Sequence, residues 1–414
     1  MTEVYIIGTG MIRFGNYPGR NVSDMAQEAT YLALKDAKIE KKALQSVFFS
    51  NTFWGLYSNQ HAIRGQVAMR KMGIDAIPVI NVENACAGGA TALHLAYTAI
   101  KADMHDVVLV VGSEKNNPET KIGLADVSLA LMDTHDIDGY LKRMETYTRE
   151  FHNDVPEYQA PGQQKRHDLL MNTFALWARW HMSRFGSTVK QLASICAKNY
   201  FHGSLNPMAR YRSFLTAEDV MQEDPMFYPL TKSMCTTEGD GAAAVIVCSG
   251  GYLKKISSRP CVKLLASVVG SGRERDIDDE SMGERLSKVA YNMAGVGPSD
   301  IDLAELHDAT SYGELHQTEA MGFCPIGEGG LYAESGATRL GGEKPINTSG
   351  GLECRSNPIG ATGLAQIAEL CSQLRGMACN RQVENARIAL AENDGGMIGV
   401  EEASMCIHIL EKVS

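Results

Sequence analysis

No uninterrupted apolar run in the chain approaches the roughly 18 residues that a membrane-spanning helix requires, so a membrane span is not expected. Positive charge is also short: 39 Lys and Arg face 49 Asp and Glu, for a net charge of −10. Phosphate backbones want a basic face, so nucleic acid is excluded as the expected partner. The ten cysteines include no C-x-x-C pair and no regular spacing, which argues against a disulfide frame or a zinc site. The eleven histidines form no H-x-x-x-H or H-E-x-x-H pattern, so no metal centre is expected. The opening residues Met1-Thr2-Glu3-Val4-Tyr5-Ile6-Ile7-Gly8 lack a basic leader and read directly as a strand. With reduced thiols, this makes the cytoplasm the expected location. What is present is ordinary for a soluble globular protein: 414 residues, 44% apolar and 21% charged, enough chain for two or more packed units.

The first part alternates strand and helix. Val4–Gly8 reads as a strand, and residues 23–37 as a helix capped by Ser23. Ser46–Ser50 is a second strand, residues 65–72 a short helix, and Ile77-Pro78-Val79-Ile80 a short buried strand. Residues 90–102 carry helical apolar spacing, and residues 106–112 form a run typical of a central strand. Such alternation means a layered α/β domain. From Asn116 to Pro229 the rhythm gives way to a largely helical insertion rich in aromatic, methionine and basic residues. Lys165, Arg166, Arg179, Arg184, Arg210 and Arg212 lie there, either as a solvated face or as cations offered to a phosphorylated ligand. The chain then returns to a buried strand over residues 242–247.

The second part repeats the first. Ile6-Ile7-Gly8-Thr9-Gly10 is echoed by Val268-Val269-Gly270-Ser271-Gly272, 262 positions on from Gly8 to Gly270. Gly89-Ala90-Thr91-Ala92-Leu93 is echoed by Gly360-Ala361-Thr362-Gly363-Leu364, 271 positions on. Residues 296–306 repeat the helix-end, turn and strand order of residues 37–50. Two similar α/β units follow. Ligands of such sheets gather at the carboxyl ends of the strands, where residues from both units meet.

Four segments carry the chemistry. Cys86, in Asn84-Ala85-Cys86-Ala87-Gly88-Gly89, falls at a strand-to-helix junction, where helix N–H groups and the helix dipole favour a thiolate. Its alternative role is that of a small apolar packing residue. His307, in His307-Asp308-Ala309, follows the strand at residues 301–306 and leads into a helix over residues 314–321, a place suited to a base or an oxyanion donor. The others are the loop Ser349-Gly350-Gly351 through Asn357-Pro358-Ile359-Gly360-Ala361-Thr362-Gly363, and the loop Asn393-Asp394-Gly395-Gly396 after a strand at residues 386–391.

These motifs resemble the thiolase superfamily over nearly the full length, and within it the sterol-carrier-protein type. The resemblance implies a five-layered α-β-α-β-α fold of two similar halves, with residues 1–115 plus 230–255 as the first and 256–414 as the second. Residues 116–229 would be the inserted loop domain that helps to hold coenzyme A. It also implies a homodimer, acyl-CoA thioester substrates, coenzyme A as a substrate and no permanently bound cofactor.

The departures are informative. Asn357 stands where thiolases place the histidine that deprotonates the nucleophile. Ala309 replaces the second cysteine of the sterol-carrier type, and Asn393 replaces that of biosynthetic thiolases. What remains, Cys86, His307 and Asn357, resembles the Cys-His-Asn set of ketoacyl and chalcone synthases. Cys86 would carry the acyl group, splitting one hard step into two. His307 and Asn357 would form one oxyanion or enolate site, and the backbone N–H groups of Cys86 and Gly395, beside Gly396, the other; a donor of this kind is worth ~3–4 kcal/mol. Cys86 ionisation would lean on the helix dipole and on His307. Arg355 and Glu353 are candidate contacts to a carboxylated substrate.

Within the family, some members act with a small partner carrying an OB fold and a zinc ribbon. One such class cleaves benzoylsuccinyl-CoA, and another acts on sterol side chains by thiolysis or retro-aldol cleavage. The retro-aldolases lack the nucleophilic cysteine, so Cys86 favours acyl transfer. The expectation is therefore CoA-dependent cleavage of a β-ketoacyl-CoA, or its reverse, on an aromatic or dicarboxylic substrate. A retro-aldolase with a zinc-ribbon partner and a non-catalytic lipid-binding subunit are the alternatives.

Overall fold

The computed structural model describes residues 2–115, 124–151, 169–256 and 260–413. Nine strands form one continuous ladder: β1 (Val4–Met11), β2 (Ser46–Ser50), β3 (Val79–Val82), β4 (Val107–Glu114), β5 (Gly241–Ser249), β6 (Val262–Ser271), β7 (Leu303–Glu305), β8 (Ile388–Ile398) and β9 (Glu401–Lys412). Their order is β3-β2-β4-β5-β1-β6-β9-β8-β7. β4 and β5 are buried at every position, as strands covered on both faces must be. The ladder is thinnest at β1 and β6, which meet only at Tyr5–Lys263 and Ile6–Val262. That seam divides a five-stranded first half from a four-stranded second half.

The helices build three layers around these two sheets: α1 (Val22–Ala37), α2 (Gly88–Lys101), α3 (Leu169–Phe185), α4 (Val189–Leu205), α5 (Met282–Ala294), α6 (Ser311–Ala320) and α7 (Thr362–Leu374). α1 covers the outer face of the first half, packing Met25, Ala29 and Ala33 with Ile7, Leu109 and Val111. α5 covers the outer face of the second half through Met282 and Ala290, against Val268 and Ile407. Between the sheets lie α2 and α7, whose Leu93, Ile100, Leu364 and Ile367 share one core with Val108 and Val245 of the first sheet and Leu264 and Ala389 of the second. This is the five-layered α-β-α-β-α arrangement. The internal repeat is equally visible: a single 3-10 turn precedes β2 (Lys41–Ala43) and β7 (Pro298–Asp300), and α2 and α7 hold equivalent places.

Glycine sets how closely the halves approach. A Cβ on Gly112 of β4 would lie 2.1 Å from the Gly360 carbonyl oxygen, and one on Gly89 of α2 would lie 3.0 Å from the same atom. The chain leading into α7 therefore lies directly against the first half.

Several boundaries differ from expectation, each for a local reason. Asn21 rather than Ser23 caps α1, because its side chain accepts from the Asp24 N–H while Asp24 accepts from the Asn21 N–H, a complete capping box. The strand expected at residues 77–80 begins at Val79, and it is not buried: β3 lies at the edge of the sheet, with Ile80 38% exposed. The residues expected as a loop after the strand at 386–391 remain in β8, whose ladder with β9 continues through Gly395–Ser404 to Ile398–Glu401.

Between β4 and β5 the described residues form helices Leu124–Leu129, Ile137–Glu150, α3, α4 and Ala217–Met221, and a hairpin of Pro225–Phe227 with Leu230–Thr231. Phe174, Trp177, Leu192 and Tyr200 from this region share a core with Tyr312 and Leu315 of α6. The expected boundary at residue 116 lies outside the described residues, as do Lys165 and Arg166. Among the described residues, no helix is long and apolar enough to cross a membrane.

Candidate active site

The turn that delivers Cys86 is strained. Ala85 takes φ +49°, a left-handed conformation that costs a side-chain-bearing residue free energy, and α2 starts two residues after Cys86. The Ala85 N–H donates to Glu83 at 2.7 Å, and Asn84 donates to Thr91 Oγ1 of α2 at 3.0 Å, so the turn is fixed from both sides. Facing it, Ser356 takes φ +80° just before Asn357. The Asn357 N–H donates to the Thr237 carbonyl at 3.0 Å. Two strained loops, one from each half, thus meet at the end of the molecule where both sheets present their site-forming turns.

The side chains of these motifs come together in one place. Asn357 Nδ2 lies 3.7 Å from Cys86 Sγ and donates toward it. Thr362 Oγ1 donates to Asn357 Oδ1 at 2.7 Å, which leaves the amide nitrogen facing sulfur. His307 is buried, and its Nδ1 accepts from Asn393 Nδ2 at 2.8 Å. That contact places the ring proton on Nε2, which faces the Asp394 carboxyl at 3.9 Å. Asn393 therefore does not replace a cysteine's chemistry; it fixes the His307 tautomer. Gly363 leaves room for it, since a Cβ there would lie 2.4 Å from Asn393 Oδ1.

Gly395 sits beside the nucleophile's backbone: a Cβ on it would fall 2.5 Å from the amide nitrogens of both Cys86 and Ala87. Gly396 takes φ +67°, and a Cβ on it would lie 3.3 Å from the Leu131 carbonyl oxygen, to which the Met397 N–H donates at 2.9 Å. Cys86, His307, Asn357, Gly395 and Gly396 all line a single cavity of about 410 Å³. Its walls are largely apolar, with Leu131, Leu170, Phe174, Phe227, Ile359 and Met397 among them. Ala309 lines it too, and beside Ala309 stands Cys235, a thiol that sequence reading passed over.

The electrostatics correct one expectation. Burial pushes the Cys86 thiol up to about 12, reinforced by the nearby Asp394, Glu114 and Glu83 and only partly opposed by the Asn357 hydrogen bond. Burial lowers His307 to about 3, so the ring is neutral at physiological pH. The site therefore rests with a protonated thiol beside a neutral imidazole. The helix dipole is outweighed because Cys86 is only 7% exposed and the Asp394, Glu114 and Glu83 carboxyls lie nearby. Neutral His307, with Nε2–H toward the cavity, is a hydrogen-bond donor.

Arg355 and Glu353 do not line the cavity. Both are buried: Arg355 Nη2 pairs with Glu305 Oε2 at 3.2 Å, and Glu353 accepts from Ser311 Oγ at 2.6 Å and from Asn199 Nδ2 at 3.1 Å. They brace the loop from beneath rather than facing a substrate. Among the described residues, the basic side chains expected in the insertion, Arg179, Arg184, Arg210 and Arg212, do not line the cavity either. Arg179 donates to the Tyr228 carbonyl at 2.6 Å, Arg210 binds the Glu238 carbonyl and Ser356 Oγ, and Arg184 lies near Asp278. Lys232 is the one lysine or arginine among the described cavity-lining residues, and it stands exposed at the mouth.

Sequence reading also missed the carboxyls. Glu114, at the end of β4, accepts from Asn51 Nδ2, the Thr52 and Phe53 N–H groups and the Gly360 N–H, tying the first half to the Asn357 loop. Asp394 and Glu402 line the cavity directly. Only Glu402's pairing across β8 and β9 puts it there, which no local motif reveals.

Comparison with known proteins agrees with this geometry. Residues 4–195 match the family model described as "Thiolase, N-terminal domain", and residues 272–412 match "Thiolase C-terminal domain-like". An acetyl-CoA acetyltransferase of Methanothermobacter thermautotrophicus is 33% identical, with full coverage of both chains. Sterol carrier protein 2 of Oryctolagus cuniculus is 33% identical over 95% of this chain and 70% of its own length. The benzoylsuccinyl-CoA thiolase subunit BbsB of Thauera aromatica is 30% identical over 95% of each chain. Among solved structures, an "Ltp2-ChsH2(DUF35) aldolase" superposes with a TM-score of 0.77 at 21% identity, covering 99% of this chain and 98% of that one. Human mitochondrial 3-ketoacyl-CoA thiolase gives 0.71 at 15% identity, covering 100% and 99%. With its motifs, its two interlocked halves and these relatives in agreement, the chain belongs to the thiolase family and is an acyl-CoA acyltransferase of thiolase type.

Proposed function

We propose that this protein cleaves a β-ketoacyl-CoA with coenzyme A, or runs the reverse condensation, through an acyl group carried on Cys86. The observation that carries the reading is the Asn357 amide nitrogen held 3.7 Å from Cys86 Sγ at the floor of an apolar cavity. Cys86 attacks the β-carbonyl. His307 Nε2–H and Asn357 Nδ2–H are donors for the enolate left on the CoA fragment, and the backbone N–H groups of Cys86 and Gly395 serve the other oxyanion. Coenzyme A is a substrate here, and no resident cofactor is required.

Cavity walls of leucine, phenylalanine and methionine suit an aromatic or extended apolar acyl group. Lys232 at the mouth suits a second carboxylate, as in a dicarboxylic acyl chain such as benzoylsuccinyl-CoA. The relative BbsB bears the word subunit in its name, and the aldolase structure is named as a complex with a DUF35 protein. Both support a small OB-fold, zinc-ribbon partner for this chain. The exposed edge strand β3 supports a homodimer, since unpaired edges are normally covered.

The test is intact-mass spectrometry with a panel of aromatic, dicarboxylic, steroid and short-chain β-ketoacyl-CoAs, with and without a zinc-ribbon partner. An acyl adduct on Cys86 that disappears in Cys86→Ala is expected. Release of a free aldehyde or ketone that survives Cys86→Ala would instead establish the retro-aldolase. No adduct and no turnover with any substrate would leave a non-catalytic lipid-binding subunit.

A further inference from the structure

The site as described has donors but no base. Asn357 is an amide and cannot take a proton at neutral pH, and neutral His307 uses Nδ1 to accept from Asn393 and Nε2 to donate. Both usual positions of a second cysteine hold other residues, Ala309 and Asn393. Yet carbon–carbon cleavage must take a proton from the thiol and deliver one to carbon.

A carboxyl is in place for this. Asp394 lines the cavity, lies 3.9 Å from His307 Nε2 and is close enough to Cys86 to act on its thiol electrostatically. Behind it stand two more carboxyls. Glu392 shares a hydrogen bond with Asp394, and Glu402 on β9 is bridged to it by Gln317, whose Nε2 lies 3.4 Å from Asp394 Oδ2 and 3.5 Å from Glu402 Oε1. Glu402 Oε2 is buried and has no hydrogen-bond partner among the described residues. Glu402 also lines a second cavity of about 250 Å³, between Trp180 of α3 and the segment Arg275–Glu284, where His316 of α6 faces it. Three acidic side chains clustered at one catalytic cavity, with no lysine or arginine hydrogen-bonded to them among the described residues, are expensive to bury as carboxylates and explicable as proton holders.

We propose that Asp394 is the proton carrier of this site, standing in for the missing second cysteine and backed by Glu392 and Glu402. The inference rests on the Cys86 acyl-enzyme reading. Cys86 sulfur bonds to the β-carbonyl carbon as its proton passes to the Asp394 carboxylate. The Cα–Cβ bond then breaks, leaving its electron pair on the CoA thioester as an enolate, and Asp394 returns the proton to Cα. The sulfur of coenzyme A next attacks the acyl-Cys86 carbonyl, giving its proton to Asp394. The bond to Cys86 breaks, and the departing sulfur recovers that proton. One carboxyl completes the cycle with no oxidant or reductant. Burial and the two neighbouring carboxyls hold Asp394 well above the ordinary carboxylate range, which brings it nearer the pH at which a carrier both takes and gives protons. The titratable groups facing it are Cys86 from the nucleophile turn, His307, Glu392 on its own strand and Glu402 on β9.

The test uses the full-length enzyme with acetoacetyl-CoA plus coenzyme A for turnover, and acetyl-CoA in D₂O for exchange of the methyl protons. Asp394→Asn is expected to lower both rates by about 10²–10⁴-fold, the usual worth of general acid–base catalysis. Iodoacetamide should still alkylate Cys86 in that variant, and Asp394→Glu should recover part of the exchange. Glu402→Gln is expected to shift the pH–rate profile while retaining turnover; it also serves if Asp394→Asn fails to fold. Wild-type-like exchange in Asp394→Asn, an unmoved profile in Glu402→Gln, or a larger loss in Cys235→Ser would each overturn the proposal while leaving the acyl-enzyme intact. If wild-type enzyme forms no Cys86 adduct with any acyl-CoA, the acyl-enzyme reading fails and this proposal falls with it.

Discussion

At the scale of single residues, the site works through side chains that orient other side chains. Thr362 is the clearest case, because its hydroxyl donates to the Asn357 amide oxygen and so turns the amide nitrogen toward sulfur. Thr362→Val keeps the shape and removes that bond. A net hydrogen bond is worth about 1 kcal/mol, so kcat should fall roughly 5–10-fold with KM little changed in steady-state kinetics. Arg355 was legible in the sequence as a charged residue beside the Asn357 loop, but not as a buried one. Its guanidinium meets Glu305 inside the protein, so Arg355→Ala should strand that carboxylate and lower stability by about 3–5 kcal/mol in denaturant titration. A carboxylated substrate should lose no specific recognition in the fraction that remains folded.

At the scale of elements, motifs at strand–helix junctions could be read, and burial could not. Cys86 was legible because a glycine-rich turn before a helix has a recognisable local pattern, and His307 because it ends a strand. Asp394 was legible only as one position of the Asn393–Gly396 loop and not as an acid, and Glu402 gave no signal, because it pairs with Met397 across a hairpin. The Ile77–Ile80 run misled for the opposite reason, since apolar residues at a sheet edge look like apolar residues inside one. β8 carries a steric constraint aimed at the nucleophile itself. Gly395→Ala would drive a methyl group to within 2.5 Å of the Cys86 amide nitrogen and push the nucleophile turn away. A shift of that size should cost about 10²-fold in kcat while the circular dichroism spectrum stays native.

For the whole molecule, two sets of buried groups pull stability in opposite directions with pH. His202, His307 and His408 are lowered by burial to about 3, so the unfolded chain binds more protons below their ordinary range, and stability rises as pH climbs from about 3 toward 6.5. Glu114 and Glu305 are raised by burial to about 7, and Glu353 and Glu392 to about 8. For these the folded protein binds more protons, and their contribution, fully present below the ordinary carboxylate range, is lost as pH rises through 7 and 8. The melting temperature should therefore climb from strongly acidic pH, level off between about 4.5 and 6.5, where the two sets oppose, and decline toward pH 8.5. A melting temperature that keeps rising to pH 8.5 would contradict these burial assignments. The duplicated architecture was readable from its repeats; the carboxyl-rich interior that sets this profile was not.

The thioether-lined cavity wall carries its own liability under oxidative stress. Met171, Met226 and Met397 line the same cavity as the nucleophile, and Met226 is 46% exposed. Peroxide attacks thiolates and accessible thioethers, whereas Cys86 rests as a buried, protonated thiol. Mild peroxide should thus convert the wall to sulfoxide first, weakening the grip on a greasy acyl chain while the catalytic sulfur stays countable by thiol titration. A methionine sulfoxide reductase, and not a thiol reductant, should restore the lost affinity.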